Sequence, residues 1–298
     1  MAWSRLGALQ WIGPPTFERR PLTAGSGLIC TRANLWVMAD DLHHLVRFPR
    51  QEALVGRGFR IFSGEPPTDV AARKRVKPDA ECLINLGQDK ERLALLAFPS
   101  GSRPNRTLAS KVQIDLTDNL VGWREISFSS LFRFLQQRVP DLNIEGGVVV
   151  DGKVSLFQRG NGKAGFNALI EFDVDVISGL LNGQFERETF NPRIVEIPLP
   201  KLGGVALTFT DACVHDGGVY FAAAAERGAS TYDDGEVVGS AIGRLSDGPA
   251  ILAQIDKVKI EGLAVAESEA RALTFLAVTD ADDPDIPSEL LSLRVLDA

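Results

Sequence analysis

A short phrase returns five times along this chain, as Ser26-Gly27-Leu28, Glu81-Cys82-Leu83, Glu145-Gly146-Gly147, Thr210-Asp211-Ala212 and Glu261-Gly262-Leu263. The steps between the first residues are 55, 64, 65 and 51, and passing from Glu261 off one chain end and in at the other to Ser26 takes 63. A spacing that survives joining the two ends is what a circular array of sheets leaves in a sequence. The rhythm predicts an all-β fold, a five-bladed β-propeller, with residues 1–298 as a single domain.

The residues after each phrase support that expectation. The second apolar runs are Leu35 to Ala39, Leu93 to Phe98, Val154 to Phe157, Val219 to Ala225 and Leu273 to Thr279, each reached through turn residues. In two repeats the turn is Asp-Gly, at Asp151-Gly152 and Asp216-Gly217, a strong hairpin signal between apolar segments. Third strands are expected at His44 to Phe48, Leu108 to Leu116, Ala168 to Val174, Ser240 to Leu245 and Leu290 to Leu296. Fourth strands are expected at Phe59 to Ser63, Trp123 to Phe128, Arg193 to Leu199 and Ile251 to Val258. The fifth repeat runs out of chain, so the N-terminal strand, near Leu6 to Ile12, is expected to complete it and fasten the ring. Ser129 to Val139 carries apolar residues at helical spacing, with serines to cap it and Pro140 to stop it, and reads as a short helical insertion. Gly64 to Pro78, with Arg73-Lys74-Arg75, reads as a solvated linker; Ser178 to Asn191 as a loop or helical turn; and Arg227 to Glu236 as a polar excursion.

Composition narrows the function classes. A net charge of −7 argues against a nucleic-acid binder, which needs a basic surface. No apolar run approaches the ~20 residues that span a bilayer, so no membrane partner is expected. Three widely spaced cysteines, Cys30, Cys82 and Cys213, do not make a disulfide framework and read as small buried hydrophobes. No signal peptide is read at the start, the cysteines suit the reduced cytoplasm, and a monomer is expected. Gly160-Asn161-Gly162-Lys163-Ala164-Gly165 formally matches the dinucleotide fingerprint, but strand-like residues come next where a helix is required. No serine elbow and no H-E-x-x-H motif is present.

In a propeller the first strand of each blade lines the axis, so Ser26, Glu81, Glu145, Thr210 and Glu261 should converge at one level. Carboxylates brought to ~5 Å repel by about 3 kcal/mol per pair at an effective dielectric near 20. An all-oxygen ring suits a hard cation, with Ca²⁺ the first choice and Mg²⁺ the second. Backbone N–H groups and channel water are the alternative way to hold the glutamates. A five-step order of Ser, Glu, Glu, a hydroxyl residue and Glu resembles the soluble calcium-activated nucleotidase (apyrase) family, and "IEGL", "TDA" and "SGL" with "ADDL" are similar to phytase-like and uncharacterised bacterial propellers. The resemblance implies one central calcium held by Ser26, Glu81, Glu145, Thr210 and Glu261.

The second strand of each blade ends beside the start of the first, so the residues after it should surround the mouth nearest the ring. Those residues are Asp40, Asp41, His43 and His44; Arg103, Asn105 and Arg106; Arg159, Asn161 and Lys163; Glu226 and Arg227; and Asp280, Asp282 and Asp283. Arg103, Arg106 and Arg159, with His43, are candidate contacts for a small anionic molecule. Arg103 and Arg159 could instead pair with Asp40 or Glu226, and the run from Asp280 to Asp285 could be a solvated acidic loop. Asp40, Glu226 and Asp280 are the candidate general bases. The expected function is a metal-dependent hydrolase of a small phosphoester or similar anion. The alternative is a non-catalytic binding propeller with structural calcium, and glycosidase chemistry is a third possibility.

Overall fold

The computed structural model describes residues 3–14, 16–51, 54–187, 190–228 and 235–296. Five sheets, antiparallel but for one added strand in blade one, succeed one another along the chain, and their first strands neighbour each other in a closed circle: Gly25–Cys30, Ala80–Gln88, Ile144–Val150, Val205–His215 and Ile260–Glu269. The protein is a five-bladed β-propeller. Blades two, three and four run outward through four successive strands each, and blade four adds Lys201–Leu202 against its inner strand. Among the described residues no helix is long and apolar enough to cross a membrane.

The closure differs from expectation by a few residues. Trp3–Ala8 pairs antiparallel with Glu289–Leu296 and completes blade five, whereas Gln10–Ile12 crosses to blade one and pairs in parallel with Val55–Arg60. The expected strand at Leu6 to Ile12 is therefore two strands on two blades. Leu9 sits fully buried between them, its N–H donating to Ser288 O at 2.8 Å and its carbonyl accepting Leu22 N–H at 3.0 Å.

All five ring positions occupy the same local structure. In each inner strand the pairing register slips by one at that residue, between Gly25 and Gly27, Ala80 and Cys82, Ile144 and Gly146, Phe209 and Asp211, and Ile260 and Gly262. Ser26, Glu81, Glu145, Thr210 and Glu261 are thus the extra residue of five equivalent β-bulges, devices that re-aim a side chain out of the ladder. The recurring glycine behind them has a steric cause: a Cβ on Gly262 would lie 2.5 Å from Val278 Cγ2 and 3.1 Å from the Gly27 carbonyl carbon of the next blade. Past the bulges the axis is lined by Leu28, Leu83, Gly147 and Ala212.

Three short helices decorate the ring. α1 (Val70–Val76) begins at Asp69, whose carboxylate accepts Ala72 N–H at 2.7 Å; it replaces the expected solvated linker. α2 (Ser129–Leu135) is the expected insertion, shorter than its apolar pattern, and its N-cap is Phe128 without a side-chain cap. Ser129 bonds to Ser127 and Thr107 instead of capping it. α3 (Val174–Leu181) fills the start of the expected loop from Ser178, while residues 188–189 of that insertion lie outside the described residues, as does 229–234 of the excursion in blade four. α2 and α3 seat Phe132, Leu135, Ile177 and Leu180 in one apolar cluster with Phe98 and Phe128. Gly101, at φ +67, is what lets α2 approach: a Cβ there would lie 2.0 Å from Phe132 Cδ1. Gly101→Ala is expected to cost about 2–3 kcal/mol through strain and overpacking, read as a lower urea midpoint at unchanged slope.

Candidate active site at the polar mouth

The bulges set one tier of side chains, and a second tier rises above it by the same repeat. In four blades the residue leaving the second strand donates its N–H to the carbonyl two residues before the ring: Asp40 to Ala24 at 3.1 Å, Ser100 to Asp79 at 3.0 Å, Arg159 to Asn143 at 2.8 Å and Asp280 to Lys259 at 3.1 Å. Blade four departs from this, with Thr208 Oγ1 donating to Ala224 O at 3.3 Å and Glu226 standing two residues further on. The upper tier therefore consists of Asp79, Asn143 and Lys259 from the inner strands and Asp40, Arg159, Glu226 and Asp280 from the second strands.

These groups enclose a cavity of about 170 Å³ at the axis, whose wall contains nine carboxylates against six cations. They form two ionic knots. On blades one and two, Lys77 pairs with Asp40 and lies 2.9 Å from Asp79 and 3.9 Å from Glu81; Arg106 meets Asp79 at 2.8 Å, and Asp79 accepts a bond from Ser100. On blades three to five, Arg159 pairs with Glu226 and lies 3.4 Å from both Glu145 and Glu261. Lys259 sits 2.8 Å from Glu261, 2.6 Å from Asp282 and 3.4 Å from Glu226. Asn143 Nδ2 donates to Glu145 at 2.6 Å. Ser26 Oγ and Thr210 Oγ1 donate across to the next blade, to Ala80 O at 2.9 Å and Ile260 O at 2.6 Å, and keep lone pairs for another partner.

Burial sets the protonation of this wall. It is the main cause pushing Glu81 and Glu261 well above the usual carboxylate range, with Asp40, Asp79 and Glu145 adding to the push on Glu81, and Asp280 adding to that on Glu261 against the pull of Lys259. Burial likewise raises Glu145, against the pull of Arg159 and Lys259. Burial would raise Asp79 as well, but Lys77 and Arg106 hold it below its ordinary value. Asp280 is pushed up to about 7, by burial first, with Lys259 opposing and Asp282 and Asp40 reinforcing. A carboxyl poised there can give or take a proton at neutral pH.

Of the residues singled out from the sequence, Asp40, Arg106, Arg159, Glu81, Glu145, Glu261 and Asp280 share the cavity wall, and Glu226 adjoins it through Arg159 and Lys259. Ser26 and Thr210 lie buried in the bulge tier. Of the others named for the mouth, His44, Asn105, Lys163 and Arg227 do not line the wall, and neither do two of the candidate substrate contacts. His43 is outside the wall, its Nδ1 3.2 Å from Gly64 O and its ring against Phe62, because the chain turns outward after Asp41. Arg103 is also outside it, in a turn where its carbonyl accepts Arg106 N–H at 3.0 Å. The acidic stretch from Asp280 is not simply a solvated loop, since Asp280 is 9% exposed and Asp282 holds Lys259. Sequence reasoning missed Lys77, Asp79 and Lys259. Asp79 and Lys259 lie two residues before a ring residue, just ahead of the inner strands, a spacing that could have found them. Among the described residues, the one carboxylate trio with oxygens within 4.8 Å of one another is Asp40, Asp79 and Glu81, off the predicted ring but sharing Glu81 with it.

Asp280 also makes a stability prediction. Its folded-state value lies above its unfolded one near 3.8, so its favourable contribution is complete below that value and is lost as pH rises through about 7. In chelator, Asp280→Asn is expected to raise unfolding free energy at pH 8 by on the order of 2 kcal/mol and to leave it nearly unchanged at pH 4, as read by urea denaturation.

A propeller whose axial mouth gathers buried acids and bases is the class that the coordinates define. A model of a family of unknown function, DUF6929, matches residues 21–295, and the chain belongs to that family. No curated protein sequence matches it. Among solved structures it is similar to the glutaminyl cyclase of Myxococcus xanthus, at 12% identity over 97% of this chain and 99% of that chain with a TM-score of 0.49. It is also similar to an exo-1,5-α-L-arabinanase from a bovine ruminal metagenomic library, at 9% identity over 92% and 94% with a TM-score of 0.46. A GH43 endo-arabinanase from Bacillus licheniformis is matched at 14% identity over 95% and 96%, with a TM-score of 0.40. These likenesses bring no chemistry with them.

Proposed function

We propose that the polar mouth is the active site of a cation-assisted hydrolase acting on a small phosphorylated or otherwise anionic substrate. The observation that carries this is the donor set: nine carboxyl groups and six cations line one mouth, and burial pushes Glu81 and Glu261 well above the usual carboxylate range. A divalent ion would take the place of those protons, and the donors of the bulge tier are all oxygen. Calcium, with magnesium as the second choice, would be held by Ser26, Glu81, Glu145, Thr210 and Glu261. Such an ion supplies Lewis-acid polarisation of a substrate oxygen.

The chain's own residues do the rest. Asp280 exchanges the proton near neutral pH, with Asp40 and Glu226 as the flanking carboxylates that orient water. Arg106 and Arg159, joined by Arg73 and Lys74, meet the negative group of the substrate. A panel of nucleotides, sugar phosphates and phytate, assayed with calcium and with chelator, is the test. Turnover that needs the ion and falls about 10²–10⁴-fold in Asp280→Asn is expected. Absence of turnover across the panel with every divalent ion would sink the proposal.

A second reading, a non-catalytic binding propeller, is favoured by one observation: Lys77, Arg159 and Lys259 already neutralise part of the ring. Under it, calcium raises thermal stability with no activity to lose.

A further inference from the structure

We propose that α1 is a lid over the blade-one and blade-two side of the mouth, latched by charge and able to open while the propeller stays folded. This stands independently of the hydrolase reading. The first ground is what α1 lacks. None of residues 71–77 is buried, and among the described residues none belongs to an apolar cluster of the core; Val76 is 59% exposed. A seven-residue helix has little stability of its own, so its position must come from what it touches.

What it touches is polar. Arg73 pairs with Asp41 at 3.0 Å, and Lys77, just past the helix, with Asp40, Asp79 and Glu81. The carbonyls of Lys74 and Arg75 accept from Arg106 at 3.5 Å and Asn105 at 3.1 Å. Arg73, Lys74 and Lys77 form part of the cavity wall, so whatever displaces α1 opens the mouth. Segments held by few apolar contacts open locally at low free-energy cost, and ion pairs that are not fully buried weaken with salt. The Arg73 and Asp41 side chains retain 20% and 16% exposure, which leaves the outer latch within reach of solvent ions. The hinge on one side is the stretch from Gly64 to Asp69, and on the other Lys77 to Asp79, where Asp79 at φ +56 begins the return to the inner strand.

Hydrogen exchange of the full chain, resolved by peptide, tests this. In the wild type, amides of 72–77 should exchange at least about tenfold faster than those of Ala80–Gln88, and faster again at high salt, while the strand is unchanged. Asp41→Asn should speed the α1 amides by a further tenfold or so without altering the strand, and Arg73→Gln should reproduce the effect from the other side of the pair. Equal rates for α1 and the inner strand in the wild type would overturn the lid. So would α1 rates indifferent both to salt and to the two substitutions.

Discussion

Arg159→Met is expected to lower the unfolding free energy at pH 8 by about 3–5 kcal/mol, the range for breaking a buried ion pair by removing one partner. Arg159 is 5% exposed and bridges three carboxylates from three blades, Glu145, Glu226 and Glu261. Methionine keeps the volume of the stem and deletes only the charge and its donors, so the loss reports electrostatics rather than a cavity. The same charges set the sign with pH. Glu145 and Glu261 already bind protons more readily folded than unfolded, and without Arg159 only Lys259 of the two cations opposing that rise remains. Their favourable contribution is complete below their unfolded values and is lost as pH climbs, so the deficit of the variant should shrink towards pH 4. Urea denaturation at pH 8 and pH 4 measures both limbs; a deficit equal at the two values would mean that packing, not charge, was removed.

Deleting residues 1–8 is the second large effect expected. Trp3–Ala8 is the outermost strand of blade five although it begins the chain, so it is the ladder that turns an open row of sheets into a ring. Trp3 Nε1 donates to Gln254 O of blade four at 3.0 Å, and Arg5 meets Glu289 at 2.6 Å. Without the strand, Glu289–Leu296 becomes an unpaired edge carrying Leu290, Leu291 and Leu293, a template for association. The midpoint of thermal unfolding should fall by about 10 °C or more, with concentration-dependent association. A peptide of residues 1–8 added in trans should recover part of the loss by restoring the ladder. A truncated chain that melts like the intact one would mean that closure rests on the apolar packing between blades one and five.

Much of this architecture was legible because a propeller repeats its backbone problem five times. Each inner strand needs a bulge at the axis and, in three blades, a glycine behind it, which leaves Ser-Gly, Glu-Gly and Glu-Gly in the sequence. The upper tier was only half legible. Residues leaving the second strands were found by topology, whereas Asp79 and Lys259 are marked only by standing two residues before a ring residue, a spacing that gains meaning only across blades. α1 was unreadable for a related reason: seven residues without an apolar stripe look like solvent-facing linker, and ion pairs to Asp40 and Asp41 cannot be seen from spacing. His43 and Arg103 failed because proximity along the chain to the second strand does not fix which way the next turn leads.

Calorimetric titration of calcium into chelator-stripped protein bears most directly on whether the five bulge residues form one cation centre. One ion per chain is predicted, with affinity weakened at least about a hundredfold in Glu145→Gln and at least about tenfold in Ser26→Ala, bulge residues of two different blades. No binding, or binding that both variants leave intact, would contradict it.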